Sequence, residues 1–119
     1  MHYILSADIG TSSLKAAFID PVGHLSAFSR VVFDRTDYAR DGASTWEKSF
    51  AQALEFLFEQ KPNAKIDGVC ISGNGPTLVP VTANGESFPP LYWYDGKTVL
   101  PPDYIKTPSF FLSKAAWLK

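Results

Sequence analysis

At 119 residues the chain is long enough for one hydrophobic core, since folding at this size buries roughly 65% of the unfolded surface. Lys and Arg total 11 against 12 Asp and Glu, for a formal charge of −1; this excludes the basic excess that general nucleic-acid binding or an anionic membrane surface requires. Cys70 is the only cysteine, so no intrachain disulfide can form. No apolar run approaches the ~20 residues of a membrane span, and Met1-His2-Tyr3-Ile4 lacks the basic start of a signal peptide, so the cytoplasm is the expected compartment.

The first elements read as strands. Tyr3 to Asp8 is a short, mostly apolar run that stops at the small polar turn Ile9-Gly10-Thr11-Ser12-Ser13. Leu14 to Asp20 is a second run. Pro21-Val22-Gly23-His24 is a hairpin-type connection to a third, Leu25 to Phe33, with Leu25, Ala27, Val31 and Phe33 at even spacing. Two tight turns in succession predict an antiparallel three-strand meander. The period then changes. Asp41-Gly42-Ala43 is predicted as a loop, and Ser44 with Glu47 has the capping-box spacing of a helix start. Trp46, Phe50, Ala53, Leu54, Leu57 and Phe58 recur on one helical face, ending near Lys61-Pro62-Asn63. Ile66 to Ser72 is predicted as a buried strand, with Cys70 inert in the core. Because it follows a helix, it is free to pair parallel to an earlier strand. Gly73 to Pro76 breaks it, Thr77 to Val81 resumes it, and Ala83-Asn84-Gly85 is a turn. Leu91 to Tyr94 is a short run, and Val99 to Pro108 a loop with three prolines. Ser109 to Leu118 opens a helix that stops in mid-pattern at Lys119.

Three places carry candidate chemistry. In Asp8-Ile9-Gly10-Thr11-Ser12-Ser13-Leu14-Lys15 a carboxylate ends a strand, a glycine lets the backbone come close to a ligand, three hydroxyls sit on the turn, and a cation returns on the next strand. That set suits phosphate, with Asp8 holding Mg²⁺ through water. The plain alternative is a polar hairpin in which Asp8 bonds turn amides. No Walker loop is present. The second place is Gly68-Val69-Cys70-Ile71-Ser72-Gly73-Asn74-Gly75-Pro76-Thr77, a strand with a Gly-rich break at its carboxyl end, where α/β sheets bind ligands and Asn74 can meet a hydroxylated substrate; the alternative is a bulge or bend. The third is Leu91-Tyr92-Trp93-Tyr94-Asp95-Gly96-Lys97. An aromatic platform beside an acid and a base suits a sugar, and an Asp-Gly turn ending a strand is the alternative. One cysteine and two separated histidines give no metal-ligand spacing.

Together and in this order, the motifs resemble the amino-terminal part of FGGY-family carbohydrate kinases. Asp8 to Lys15 looks like that family's first phosphate motif, and Trp93-Tyr94-Asp95-Gly96-Lys97 resembles its Trp-x-Asp-x-Arg segment. Lys114-Ala115-Ala116-Trp117-Leu118 is similar to its Lys-x-x-Trp-Leu helix. The resemblance implies an α/β, ribonuclease-H-like (actin-like ATPase) half-domain: a three-strand meander, then a helix and a parallel strand, truncated, with residues 1–119 a partial amino-terminal kinase domain. It implies transfer of the ATP γ-phosphate to a sugar or polyol hydroxyl, with ATP and Mg²⁺ as cofactors. Asp8, Gly10, Thr11, Ser12, Ser13 and Lys15 would bind phosphate and Mg²⁺, while Asn74, Trp93, Asp95 and Lys97 would face the sugar. Gly75 and Pro76 stand where relatives often carry polar substrate contacts. Lys97 stands for the usual Arg and lacks its bidentate fork.

In that family the catalytic base and the adenosine-binding domain lie beyond the length of this chain. No catalytic residue is therefore expected within it, and the chain alone is expected to be inactive and to self-associate through apolar surface left uncovered. The contrasting expectation is a stand-alone, non-catalytic module that self-associates or binds a partner through that face.

Overall fold

The computed structural model describes residues 1–73 and 77–92. Its elements are β1 (His2–Ile9), β2 (Ser13–Ile19), β3 (Leu25–Val32), α1 (Arg35–Arg40), α2 (Gly42–Gln60) and β4 (Lys65–Gly73). The four strands form one sheet in the order β3-β2-β1-β4. β1, β2 and β3 are the antiparallel meander the two tight turns predict, and β4 pairs parallel with β1, from His2↔Lys65 to Ile9↔Gly73. A parallel return needs a crossover, which the helical segment between β3 and β4 supplies. Among the described residues no helix is long and apolar enough to cross a membrane.

By its contacts the chain divides into two units, Met1–Arg35 with Ser44–Asn74, and Thr36–Ala43 with Gly75–Lys119. In the first, strand alternation puts Tyr3, Leu5 and Ala7 of β1, Leu14, Ala16 and Phe18 of β2, and Ala27 and Val31 of β3 into the core. Phe18, fully buried, stacks on Tyr3 with ring centroids 5.5 Å apart and meets Phe58 of α2 edge-on at 5.2 Å. Gln60 ties the end of α2 to β3: its side-chain amide donates to the Phe28 carbonyl at 2.9 Å and its Oε1 accepts from the Phe28 N–H at 3.2 Å.

Several expectations are corrected. The helix begins at Gly42, directly after Asp41, so Ser44 and Glu47 lie inside its first turns rather than at its start; aspartate is itself a favoured N-cap residue. The most buried ridge of α2 is Thr45, Ser49, Ala53 and Leu57, each four residues from the last. Trp46, Phe50 and Leu54 flank it half-buried, and Phe58 is exposed. Leu25 is 61% exposed, because the β2–β3 register shifts at Phe18/Ile19 and places it opposite Ile19; Ser29, opposite Ala16, is buried with Ala27 and Val31. β4 is not a buried strand. Val69 and Ile71 are more than half exposed and Cys70 is exposed, since the side-chain contacts of α2 run to β2 and β3 on the far side of the sheet.

In the second unit, α1 is a six-residue helix that the sequence reading missed. Its Tyr38 is buried and packs edge-on against Tyr92 at 5.4 Å. Thr77 to Val81 do not resume β4. They form isolated antiparallel bridges, Leu78↔Leu91 and Val81↔Ser87, around a turn in which Gly85 adopts φ +84°. Only glycine takes that backbone at little cost. The Ser87 hydroxyl donates to the Asp41 carboxylate.

The β2–β3 turn is organised by Asp20. Its Oδ1 accepts from the N–H groups of His24 at 2.8 Å and Val22 at 3.0 Å, and its carbonyl accepts from Gly23 N–H at 3.0 Å. The His24 main-chain bond is the largest of the influences that hold the Asp20 carboxyl below its ordinary pKa. A lowered folded-state pKa means the ionised turn favours folding above the unfolded value, and that contribution disappears as pH falls through the folded one. A carbon-detected NMR titration is expected to give Asp20 a midpoint below that of aspartate in the unfolded chain. Equal midpoints would refute the turn's role.

Candidate functional site

The polar end of the first unit is built by register. Asp8 on β1 lies opposite Lys15 on β2 and beside Ser72 on β4, and Lys15 lies opposite Arg30 on β3. Registered neighbours share a sheet face, so Ser72, Asp8, Lys15 and Arg30 form one row across all four strands. The Ser72 hydroxyl donates to Asp8 Oδ1 at 2.8 Å, and Lys15 Nζ stands 4.0 Å from Asp8 Oδ2. The Asp8 and Lys15 side chains are both 50% exposed. An ion pair this open and this long contributes roughly 0–1 kcal/mol, so it leaves both charges able to turn to a ligand.

The turn between β1 and β2 sits at the end of this row. Gly10 N–H donates to the Ser13 carbonyl at 2.9 Å, and the Ser12 carbonyl accepts from Phe33 N–H at 2.9 Å, which ties the turn to the end of β3. A Cβ on residue 10 would stand 2.9 Å from the Ser13 carbonyl oxygen. The glycine is thus required by close backbone approach, and its own N–H is committed to the turn. Its place in any phosphate cradle is steric rather than as a donor. Ser13 is buried, and its hydroxyl accepts from Arg30 Nε at 3.3 Å. Thr11 is half-buried and Ser12 exposed.

Of the residues expected to bind phosphate, Asp8, Gly10, Thr11, Ser12, Ser13 and Lys15 all fall at this one end. Asn74, Trp93, Asp95 and Lys97 lie outside the described residues, as does the Lys114–Trp117 segment. Arg30 was missed, and Ser72 was read as part of the second candidate segment rather than as a partner of Asp8. Their signal is register arithmetic: each is the cross-strand neighbour of a residue already singled out. Among the described residues no group of three or more His, Cys, Asp and Glu side chains is arranged to hold a metal ion. A lone half-exposed carboxylate fits an ion that keeps its water and takes its other ligands from a polyphosphate.

No family model matches the chain. It is 29% identical over 105 residues to the xylulose kinase of Lactococcus lactis and 23% identical over 103 residues to that of Staphylococcus xylosus. Each match takes in 82% of this chain and 21% of the relative. The solved structure of a xyloylose kinase from Brucella ovis superposes with a TM-score of 0.69 at 25% identity, over 80% of this chain and 21% of that one. The chain thus spans about a fifth of the length of the relatives it matches. Over that span it is similar to sugar kinases, and its meander, helix and parallel strand match their actin-like ATPase half-domain.

Proposed function

We propose that the chain is the phosphate-side, amino-terminal part of an ATP-dependent carbohydrate kinase, which moves the γ-phosphoryl group of ATP to a hydroxyl of a sugar or polyol in the cytoplasm. The observation that carries this reading is the placement of Asp8 and Lys15 opposite each other, 4.0 Å apart, at the mouth of the Gly10–Ser13 turn. Asp8 would orient the hydrated Mg²⁺, whose charge offsets that of the phosphates. Thr11, Ser12 and Ser13 would offer hydroxyls to phosphoryl oxygens, Gly10 would keep the turn tight, and Lys15 would add positive charge. Positioning and charge neutralisation carry most of phosphoryl transfer, so a site with no nucleophile of its own still contributes to it. Asn74, Trp93, Asp95 and Lys97 are assigned to the sugar on the resemblance alone.

The chain spans about a fifth of the relatives, so the base that deprotonates the acceptor and the adenosine-binding domain would come from outside these 119 residues. By itself the chain is proposed to be inactive. The test is an assay of the protein, purified from its source cells at its natural length, with Mg·ATP and a panel of pentuloses, hexoses and polyols, xylulose first. Acceptor-dependent ADP release from that protein, and none from the 119-residue chain, is the expected result. A natural protein that phosphorylates no member of the panel would overturn the reading. It would favour a non-catalytic module that associates through the exposed Val69 and Ile71 of β4.

A further inference from the structure

We propose that Arg30 is a positioning residue of the phosphate cradle, acting through Ser13. The inference rests on the phosphate reading above and assigns a function to a residue outside the motif. Arg30 Nε donates to Ser13 Oγ at 3.3 Å across the β2–β3 ladder, 17 residues away in sequence. A guanidinium has donors only and stays charged, whereas a hydroxyl has one proton to give and two lone pairs. The Ser13 oxygen must therefore be the acceptor in this pair, and its proton is turned away from Arg30.

The rest of Ser13 has little freedom. Its carbonyl accepts from Gly10, the preceding carbonyl accepts from Phe33, and the residue is only 4% exposed. The hydroxyl torsion is the variable left, and Arg30 sets it. An anion in the turn would then meet an O–H already pointed as a donor, on a rotor that needs no further ordering. The register adds a second effect. Arg30 stands beside Lys15 in the row that begins at Ser72 and Asp8, so two cations follow one carboxylate across the sheet. The hydroxyl is the route by which the outer cation reaches the turn.

The experiment measures the affinity of the 119-residue chain for magnesium tripolyphosphate by calorimetry, in the parent, Ser13→Ala, Arg30→Met and the double variant. The Arg30 Nε–H resonance in the NMR spectrum reports the contact itself. Each single substitution is expected to weaken binding about tenfold, the usual size for one charge-assisted hydrogen bond. The double variant is expected to be no weaker than Ser13→Ala by more than about twofold, because the two residues act as a unit. Arg30→Lys, which keeps the charge but not the Nε–H, is expected to lie between parent and Arg30→Met, and serves if the Met variant does not fold. Additive losses in the double variant would overturn the route through Ser13. So would an Arg30→Met chain that binds like the parent while Asp8→Ala does not, which would leave the phosphate reading standing. A parent chain that binds no tripolyphosphate while its Arg30 Nε–H contact is intact would overturn both.

Discussion

Phe18→Ala is expected to cost about 3–5 kcal/mol of folding stability, the usual range for a fully buried phenylalanine. Phe18 has no exposed surface, and its ring is held between Tyr3 of β1, stacked at 5.5 Å, and Phe58 of α2, edge-on at 5.2 Å. Its loss removes the transfer energy of the ring and leaves a cavity where a neighbouring strand and the crossover helix meet. A domain has only about 5–15 kcal/mol in total, so the variant should be largely unfolded well below the parent's urea midpoint. The control is Phe28→Ala. Phe28 is 46% exposed on the next strand, on the opposite face, and should cost less than about 1.5 kcal/mol, having roughly half as much area to lose. Equal shifts in the two urea midpoints would mean that the core is not centred on Phe18.

The second large effect is at Asp8. Asp8→Ala is expected to weaken magnesium tripolyphosphate binding by about 10–100-fold, the range seen when a group that orients a metal's ligands is removed. The sign should reverse without magnesium. A carboxylate repels a bare polyphosphate, so in chelator the alanine chain should bind tripolyphosphate at least as tightly as the parent. That inversion separates a metal-orienting role from a structural one. The contacts Asp8 makes, an exposed bond from Ser72 and a loose pair with Lys15, contribute little to folding, so the variant should keep the parent's urea midpoint. Binding that is the same in both chains, with and without magnesium, would remove Asp8 from the site.

The sequence carried the meander and the parallel strand because both follow from local signals: two compact turns, period-two runs, and a helix between strands. The turn between β1 and β2 was equally readable, since Asp8 through Lys15 is one contiguous segment. What was not readable depends on partners far along the chain. α1 is too short to set up a period, and the packing of Tyr38 on Tyr92 is tertiary. The buried ridge of α2 runs through Thr45 and Ser49, whose residue types argue for a surface. β4 is apolar enough to read as buried, yet Val69 and Ile71 are exposed because α2 meets the sheet at β2 and β3. Arg30 has nothing distinctive in its own segment. It joins the row with Asp8 and Lys15 only once Lys15↔Arg30 and Asp8↔Lys15 are known together.

The parallel pairing of β4 with β1 also sets an order of assembly. β1, β2 and β3 are joined by short turns, so the meander can close as soon as Val32 has left the ribosome. β4 must wait for the whole of α2, and its docking closes a much longer loop at a greater entropic cost. Ser72 and Asp8 are 64 residues apart. The turn, Lys15 and Arg30 therefore belong to the early, local part of folding, while the hydrogen bond that steadies the carboxylate arrives last. During synthesis the nascent chain holds the turn and its two cations in place before Ser72 reaches the Asp8 carboxylate.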